Sequence, residues 1–355
     1  MSARNRELLG LVPASLLVTG GFAAVFIQRS DQLSDVSLTY GAIFLALCVA
    51  AHVFLRVTLP YADPYLFPLM AILASFGIVV IYRIDEKLAR EQAQWFVFGL
   101  ILFMATIVFL RNYRVLERYR YLIAFASIAL LLAPRLPGVG GSINGAYLAV
   151  RLGPIQFQPA EFAKIGIVVF LASYLRDNRQ VLVQGARRVL GVTLPPLKQF
   201  GPLLVVWGLA MVMLFVIKDL GSSVMFFGAF LVLLYVATNR LSFPLIGLVL
   251  FAIGAWYVGT HIGHIHARIQ AWQDPFRLDL YNEVGGSYQL AQSLFAQADG
   301  GMFGTGFGQA LLDLPSGGKI LPAAHTDLIY AVITNELGLV GACAVLLTYL
   351  LMVER

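Results

Sequence analysis

Apolar stretches of roughly the length that crosses a bilayer as a helix, about twenty residues with some shorter, follow one another along almost the whole chain. They fall at 8–27, 37–57, 65–82, 94–110, 119–133, 162–176, 199–216, 221–237, 241–260 and 325–352. No water is present in the hydrocarbon core, and in a chain with this pattern only helices satisfy every backbone N–H and C=O internally. The expectation is an all-α, polytopic integral membrane protein with about ten transmembrane helices and a large extracellular loop before the last. The chain is 59% hydrophobic and only 12% charged, whereas soluble domains carry about a quarter charged residues. One integral bundle is therefore expected, not the two or three soluble domains that 355 residues would otherwise suggest.

The formal charge is +6, but the basic residues are scattered through short loops between apolar runs. That is a topology signal and not a nucleic-acid surface. Placing the N-terminus in the cytoplasm puts Arg4, Arg6, the run Arg111 to Arg120, the basic stretch Arg176 to Lys198, and Arg240 on the cytoplasmic side. Residues 134–161 and 261–324 then face outward. Both are rich in glycine and polar side chains and too long to be mere turns, and long loops are where function concentrates. Residues 177–198 are expected to lie as an amphipathic basic stretch on anionic cytoplasmic lipid. The basic head and apolar run at the start read as an uncleaved first helix. Cys48 and Cys343 fall far apart inside apolar runs and read as small core residues, with no disulfide or zinc framework.

A charge near mid-membrane costs roughly 2.5–3.5 kcal/mol on insertion scales, so each one marks a functional candidate. Glu161 and Lys164 head the helix of "FQPAEFAKIG" and, at i, i+3, share a face and can pair. They serve either as a mutually neutralising packing pair or as the floor of a polar cavity open to the outside. Arg151, in the preceding outer loop, suits bidentate phosphate binding or interfacial snorkelling. Lys218 and Asp219 lie at a short outer tip between two helices, as a surface ion pair or as part of the same cavity. In the large outer loop Asp274, Asp279 and Glu283 cluster in an otherwise acid-poor sequence. One of them is a candidate general base, since carboxylates beside low-dielectric surfaces have raised pKa values. No strand precedes the glycines from Gly300 to Gly308, so tight turns along the membrane surface fit better than a nucleotide-binding loop. An interfacial helix end accounts for the three histidines of "HIGHIHAR" better than a metal site does. "HTDLIYAVITNELG" is expected to open the last helix, with His325 and Glu336 eleven residues apart on one face and Asp327 elsewhere on it.

The stretches "FQPAEFAKI", "KDLGSS", "WQDP", "GGSYQLAQSLFAQADGGMFGTGFGQ" and "LPAAHTDLIYAVITNELGLVG", in this order, closely resemble the SEDS family. That is the RodA/FtsW group of polytopic peptidoglycan glycosyltransferases. The resemblance runs from about residue 62 to the end and leaves 1–62 as two extra N-terminal helices. These helices and "GSINGAYLAVRLGPIQFQPAEFAK" look like the actinobacterial branch. The resemblance implies polymerisation of lipid II into glycan strands at the outer face of the cytoplasmic membrane, for cell elongation or division. It also implies a class B penicillin-binding protein, a transpeptidase, as partner. The family's catalytic aspartate lies in the large extracellular loop, a few residues before a glycine–tyrosine–glutamine match, here Gly286, Tyr288 and Gln289 with Ser287 inserted. Asp279 fits that position best, with Asp274 as competitor. Family pairs matching Glu161 and Lys164 line the central cavity, and His325, Thr326, Asp327 and Glu336 fall in the last matched motif. Ala160 stands where the family usually has serine, and Ala323 where it usually has glutamate. The family normally continues with two further helices, so the chain looks C-terminally short of it.

In the implied reaction a GlcNAc 4-hydroxyl attacks the MurNAc anomeric carbon of a growing strand while Asp279 or Asp274 takes its proton. Undecaprenyl pyrophosphate leaves, and cations must stabilise the developing charge. Arg151, Lys164, Lys218 or a divalent cation, Mg or Mn, are the candidates; no other cofactor is expected. A single displacement inverts the anomeric centre. Membrane lipids and the polyprenyl tail lie against apolar grooves between helices. Two other classes remain open: a polyprenyl-lipid flippase or transporter, whose charges mark a translocation path and which needs no loop carboxylate, and a non-catalytic scaffold for a transpeptidase.

Overall fold

The computed structural model describes residues 3–30, 35–136, 140–143, 146–152, 155–184, 187–189, 192–194, 208, 220–261, 263–283, 286–313 and 318–355. In chain order its helices begin with α1 (Ala3–Ser30), α2 (Asp35–Thr58), α3 (Leu66–Ile84), α4 (Glu86–Phe109), α5 (Val115–Arg118) and α6 (Arg120–Leu132). Strands β1 (Gly140–Ile143), β2 (Ala146–Leu152) and β3 (Ile155–Phe157) lead into α7 (Pro159–Gln184), followed by β4 (Arg187–Val189) and β5 (Val192–Leu194). Then come α8 (Leu220–Thr238), α9 (Ser242–His261), α10 (Gly263–Gln273), α11 (Leu278–Tyr281), α12 (Tyr288–Gly300) and α13 (Ile329–Glu354). The chain divides into two compact units, Met1–Arg111 with Ile262–Arg355, and Asn112–His261.

In the first unit, α1 packs against both α2 and α3, and α3 in turn against α4 and α13. The core repeats at helical spacing: Leu11, Ala14, Val18, Phe22 and Val25 of α1 meet Phe44, Cys48, Ala51 and Leu55 of α2. Arg4 and Glu7, at the start of α1, are deeply buried and paired. Glu7 accepts from Arg4 and lies 2.8 Å from His52 Nδ1, while Arg4 also donates to the Ala62 carbonyl. This polar clasp ties the first two helices to the start of the third, a role the polar-poor look of residues 1–62 did not suggest. Asp85 alone turns the chain from α3 into α4. Its extended backbone ends α3, and its carboxylate caps α4 by accepting from the N–H groups of Lys87 and Leu88 at 2.8 and 3.2 Å.

In the second unit α7 packs on α6 and α8, and α8 on α9, around Leu131, Ile167, Leu171, Phe227, Phe230 and Leu234. Segment 134–161, for which an all-α fold left no strand, carries a small antiparallel sheet β1-β2-β3. Asn144-Gly145 joins β1 to β2 in the sequence, the pair two-residue hairpins favour. The register pairs Val150 with Phe157 and Arg151 with Gln156. Pro159 opens α7 directly after this sheet, where its missing N–H costs nothing. The stretch 177–198 is not one amphipathic run: α7 continues to Gln184, and β4 and β5 pair as a hairpin with Arg187 opposite Leu194. Val192, Thr193 and Leu194 alternate apolar, polar, apolar, the period of two that suits a strand.

The protein is an α-helical, multi-pass membrane protein. Among the described residues five helices are long and apolar enough to cross a membrane: Ala3–Ile27, Thr39–Thr58, Leu66–Ile84, Glu86–Phe109 and Ile329–Glu354. Val224–Thr238 and Ser242–Trp256 are apolar but shorter, and the expected span at 199–216 lies outside the described residues except for residue 208. Large apolar side chains stand exposed on these helices, among them Phe98, Ile101, Leu250, Ile253, Leu347 and Leu350. Exposed apolar faces of this kind, in each unit by itself, belong against hydrocarbon. Of the two cysteines, Cys48 is buried as expected, but Cys343 is exposed on α13.

Candidate functional site

The loop acids assemble around an arginine. Arg277 clamps Asp279 with two parallel hydrogen bonds, Nε to Oδ1 at 2.7 Å and Nη2 to Oδ2 at 2.6 Å. This fork-on-carboxylate arrangement is the strong, directional form of ion pair. Arg277 has extended backbone just before α11, and Asp279 lies in the first turn of that helix, which lets side chains two residues apart converge. Both groups are largely exposed. The Arg277 guanidinium beside Asp279 holds its carboxyl below the usual aspartate range. Arg277 is itself pushed up, first by Asp279 and further by the charges of Asp274 and Glu283. Of the two candidate bases, Asp279 is thus the one with a defined partner. Asp274 follows the end of α10, exposed, its N–H donating to the Gln270 carbonyl.

The glycine–serine–tyrosine–glutamine stretch explains how Asp279 is presented. A Cβ on Gly286 would lie 1.9 Å from the Leu280 carbonyl oxygen, so only glycine allows the chain to double back there. The N–H of Ser287 then donates to that carbonyl at 3.0 Å. This fold-back lays α11 on the start of α12. The rings of Tyr281 and Tyr288 meet edge to face with centroids 5.1 Å apart, and Gln292 donates to the Tyr281 hydroxyl at 2.7 Å. Gln289 sits partly buried in the first turn of α12.

The last motif is built differently from its expected form. Helix α13 starts at Ile329, so His325, Thr326 and Asp327 lie in turns before it and His325 does not share a helical face with Glu336. Ala323, at a positive φ of 56°, begins those turns: its carbonyl accepts from the N–H groups of Thr326 and Leu328, both at 3.1 Å. Helix α13 is then broken at Gly338 (φ 66°, ψ −168°). The glycine-rich segment fills the break. Thr305 and Gly306 donate to the carbonyls of Asn335 and Glu336 at 2.9 and 3.1 Å, and Leu339 and Val340 donate to those of Gly301 and Met302 at 2.9 and 3.2 Å. Gly304, at φ 83°, passes so close that a Cβ would lie 2.1 Å from the Glu336 carbonyl oxygen. The glycines make the tight turns expected of them, at positive φ, and through those turns they form a backbone joint with helix α13.

Glu336 lies at that joint, fully buried, with Arg83 Nε and the Ala310 N–H both 3.4 Å from its Oε1. Arg83 Nη2 donates to the Ala310 carbonyl at 2.9 Å. Arg83 was not among the sequence candidates. A charge in the last turn of an otherwise apolar helix was the available signal.

In the second unit Lys164 Nζ donates to Glu161 Oε1 at 2.7 Å, so the pair forms as the i, i+3 spacing predicts. Lys164 is mostly buried within its unit and Glu161 more than half exposed. Arg151 is placed by its backbone in β2, opposite Gln156, and Lys218 and Asp219 lie outside the described residues. Among the described residues no three His, Cys, Asp or Glu side chains converge as a metal cage, and both oxygens of Asp279 already accept from Arg277.

Comparison with known proteins agrees with this organisation. The family model for FtsW, RodA and SpoVE, described as cell cycle protein, matches residues 63–355. The peptidoglycan glycosyltransferase RodA of Mycobacterium tuberculosis is 37% identical over 366 residues, covering 99% of this chain and 75% of that protein. The RodA of Mycobacterium leprae is 36% identical over 99% of this chain and 75% of its own. A probable peptidoglycan glycosyltransferase FtsW of Trichlorobacter lovleyi is 28% identical over 82% of this chain and 74% of its own. Among solved structures, a chain of a peptidoglycan synthase complex that coordinates polymerization and crosslinking superposes with a TM-score of 0.60 at 25% identity, covering 83% of this chain and 77% of that one. The order of motifs, the multi-pass helical fold and these matches over nearly the whole chain place the protein in the SEDS family of RodA and FtsW proteins.

Proposed function

We propose that this protein is a peptidoglycan glycosyltransferase that polymerises lipid II into glycan strands at the outer face of the cytoplasmic membrane. The observation that carries the reading is Asp279, an exposed carboxylate clamped by Arg277 and presented by the Gly286 fold-back. It stands in a chain whose relatives over almost all its length are named peptidoglycan glycosyltransferases. A carboxylate oxygen has two acceptor sites. Asp279 can therefore keep Arg277 on one and take the proton of the attacking sugar hydroxyl on the other. The clamp keeps the group ionised and aimed; the withdrawal of water as substrate closes over it raises its basicity towards what proton transfer needs. Attack in a single displacement inverts the anomeric carbon and releases the polyprenyl pyrophosphate. Lys164, Lys218 and Arg151 are the cations we assign to that leaving group, and Glu161, paired with Lys164, sets the lysine's position.

The reading includes about ten membrane spans, a cytoplasmic N-terminus and an outward-facing segment 261–324. It also includes a membrane-anchored penicillin-binding transpeptidase as partner, supported by the likeness to a synthase complex in which polymerization and crosslinking are coordinated. Asp279→Ala, assayed as purified protein with lipid II in detergent, is expected to lower strand formation by about 10²–10⁴-fold with an unchanged melting temperature. Normal yield from that variant, with loss instead in Asp274→Ala, moves the base to Asp274; normal yield from both rejects the mechanism.

A further inference from the structure

A cavity of about 210 Å³ opens in the first unit, beside the turn that carries Asp279. One face of α12 lines it at helical spacing, with Gln292, Phe295, Ala296 and Asp299 at i, i+3, i+4 and i+7. Thr305 and Gln309 from the glycine-rich segment and Asn335 from α13 complete its polar wall. Its floor is aliphatic, from Leu312, Leu321 and Val332. Asn335 is held in place by donating to the Ala296 carbonyl at 2.8 Å and by accepting from Thr305 at 3.2 Å. The Gln309 amide and the Asp299 carboxylate have no side-chain partner among the described residues.

The chemistry of this wall selects a ligand class. Among the described residues no lysine, arginine or histidine lines the cavity, and the one charge there is the carboxylate of Asp299, so a phosphate, pyrophosphate or carboxylate is repelled. Amides and hydroxyls that both donate and accept match the hydroxyl and acetamido groups of a sugar, and an aliphatic floor matches the C–H face of a pyranose ring. The volume, roughly that of seven waters, holds one such ring and not a chain. Two contacts couple the cavity to the catalytic turn: Gln292 to the Tyr281 hydroxyl at 2.7 Å, and Phe295 against Phe276 with centroids 5.3 Å apart.

We propose that this cavity is a saccharide subsite that holds one N-acetylhexosamine ring next to the Asp279 turn. The assignment rests on the glycosyltransferase reading, and it names Gln309 and Asp299 as binding residues for the sugar. The ring belongs either to the growing strand or to the incoming lipid-linked unit.

The test uses the full chain in detergent, with chitotriose as a lipid-free N-acetylhexosamine probe and inorganic pyrophosphate as control, read by saturation-transfer NMR. Both substituted side chains are exposed, so Gln309→Leu and Asp299→Leu are expected to stay folded, checked by thermal unfolding. Each is expected to weaken chitotriose binding about tenfold, and pyrophosphate is expected not to compete. Binding that is undetectable in the parent protein, unchanged in both variants, or displaced by pyrophosphate overturns the subsite. In the lipid II assay the same variants are expected to raise KM about tenfold with kcat within twofold of the parent. If later additions suffer and the first coupling does not, the ring is the strand's; if the first coupling falls too, it is the lipid-linked unit's. Strand formation by the parent with KM unchanged in both variants removes the subsite and leaves the glycosyltransferase reading standing. Absence of strand formation by the parent, with chitotriose binding still dependent on Gln309, does the reverse.

Discussion

Two residues apart, Arg277 and Asp279 set the electrostatics of the turn between α10 and α12. Because the guanidinium depresses the carboxyl's pKa, Asp279 stays charged as pH falls below the ordinary aspartate value of about 3.9. Arg277→Gln removes that support, so the titration midpoint of the Asp279 carboxyl, followed by its ¹³C signal, is expected to move upward relative to the parent. A midpoint unchanged from the parent would show that the clamp does not persist in solution. Ser287 makes a second residue-level case. Its hydroxyl is buried with no hydrogen-bond partner among the described residues, which carries a desolvation cost. Ser287→Ala is expected to leave the melting temperature unchanged or to raise stability by about 1 kcal/mol, and a clear loss would reveal a hidden partner. The cluster of acids was legible because acids are scarce in this sequence. The clamp was not, since a spacing of two brings side chains together only with the extended-then-helical backbone found at Arg277 and Asp279.

At the level of elements, the last helix shows where pattern reading stops. Its apolar run made a span from 325 onward the natural expectation, yet the turns begun by Ala323 delay the helix to Ile329 and Gly338 interrupts it. Periodicity records which side chains meet the core; it carries no information on which carbonyls are taken by another segment's N–H groups. Inside a membrane a broken ladder must be satisfied by protein, and residues 301–306 supply the partners. Gly338→Ala places a Cβ on a conformation open essentially to glycine alone. It is expected to cost about 1–3 kcal/mol, read as a drop of several degrees in the melting temperature in detergent. Gly99, helical and with open space around its Cβ position, serves as the control. The pair Glu161–Lys164, by contrast, was read directly, because i, i+3 spacing inside one uninterrupted helix fixes the geometry.

For the whole molecule, the multi-pass helical architecture was legible from run lengths alone. The antiparallel packing of α3 and α13 is a tertiary fact that took the structure to see. Arg355 at the end of α13 pairs with Asp63 just before α3 at 3.4 Å, while Arg83 near the end of α3 meets Glu336 near the start of α13. These two ion pairs mark opposite ends of the same two helices, so the proposed topology puts Asp63 on the cytoplasmic side and the segment around Lys319 outside. In a cysteine-free background, Lys319→Cys is expected to react with a membrane-impermeant maleimide on intact cells, and Tyr61→Cys only after permeabilisation. The opposite pattern inverts the topology. The joint at Gly338 acquires a mechanical meaning in this arrangement. Its four rungs are peptide groups, short and stiff, with no rotatable side chain between them. Residues 301–306 and the two parts of the last helix are therefore held together across the break by backbone bonds, so a side-chain substitution there leaves the joint's own hydrogen bonds in place.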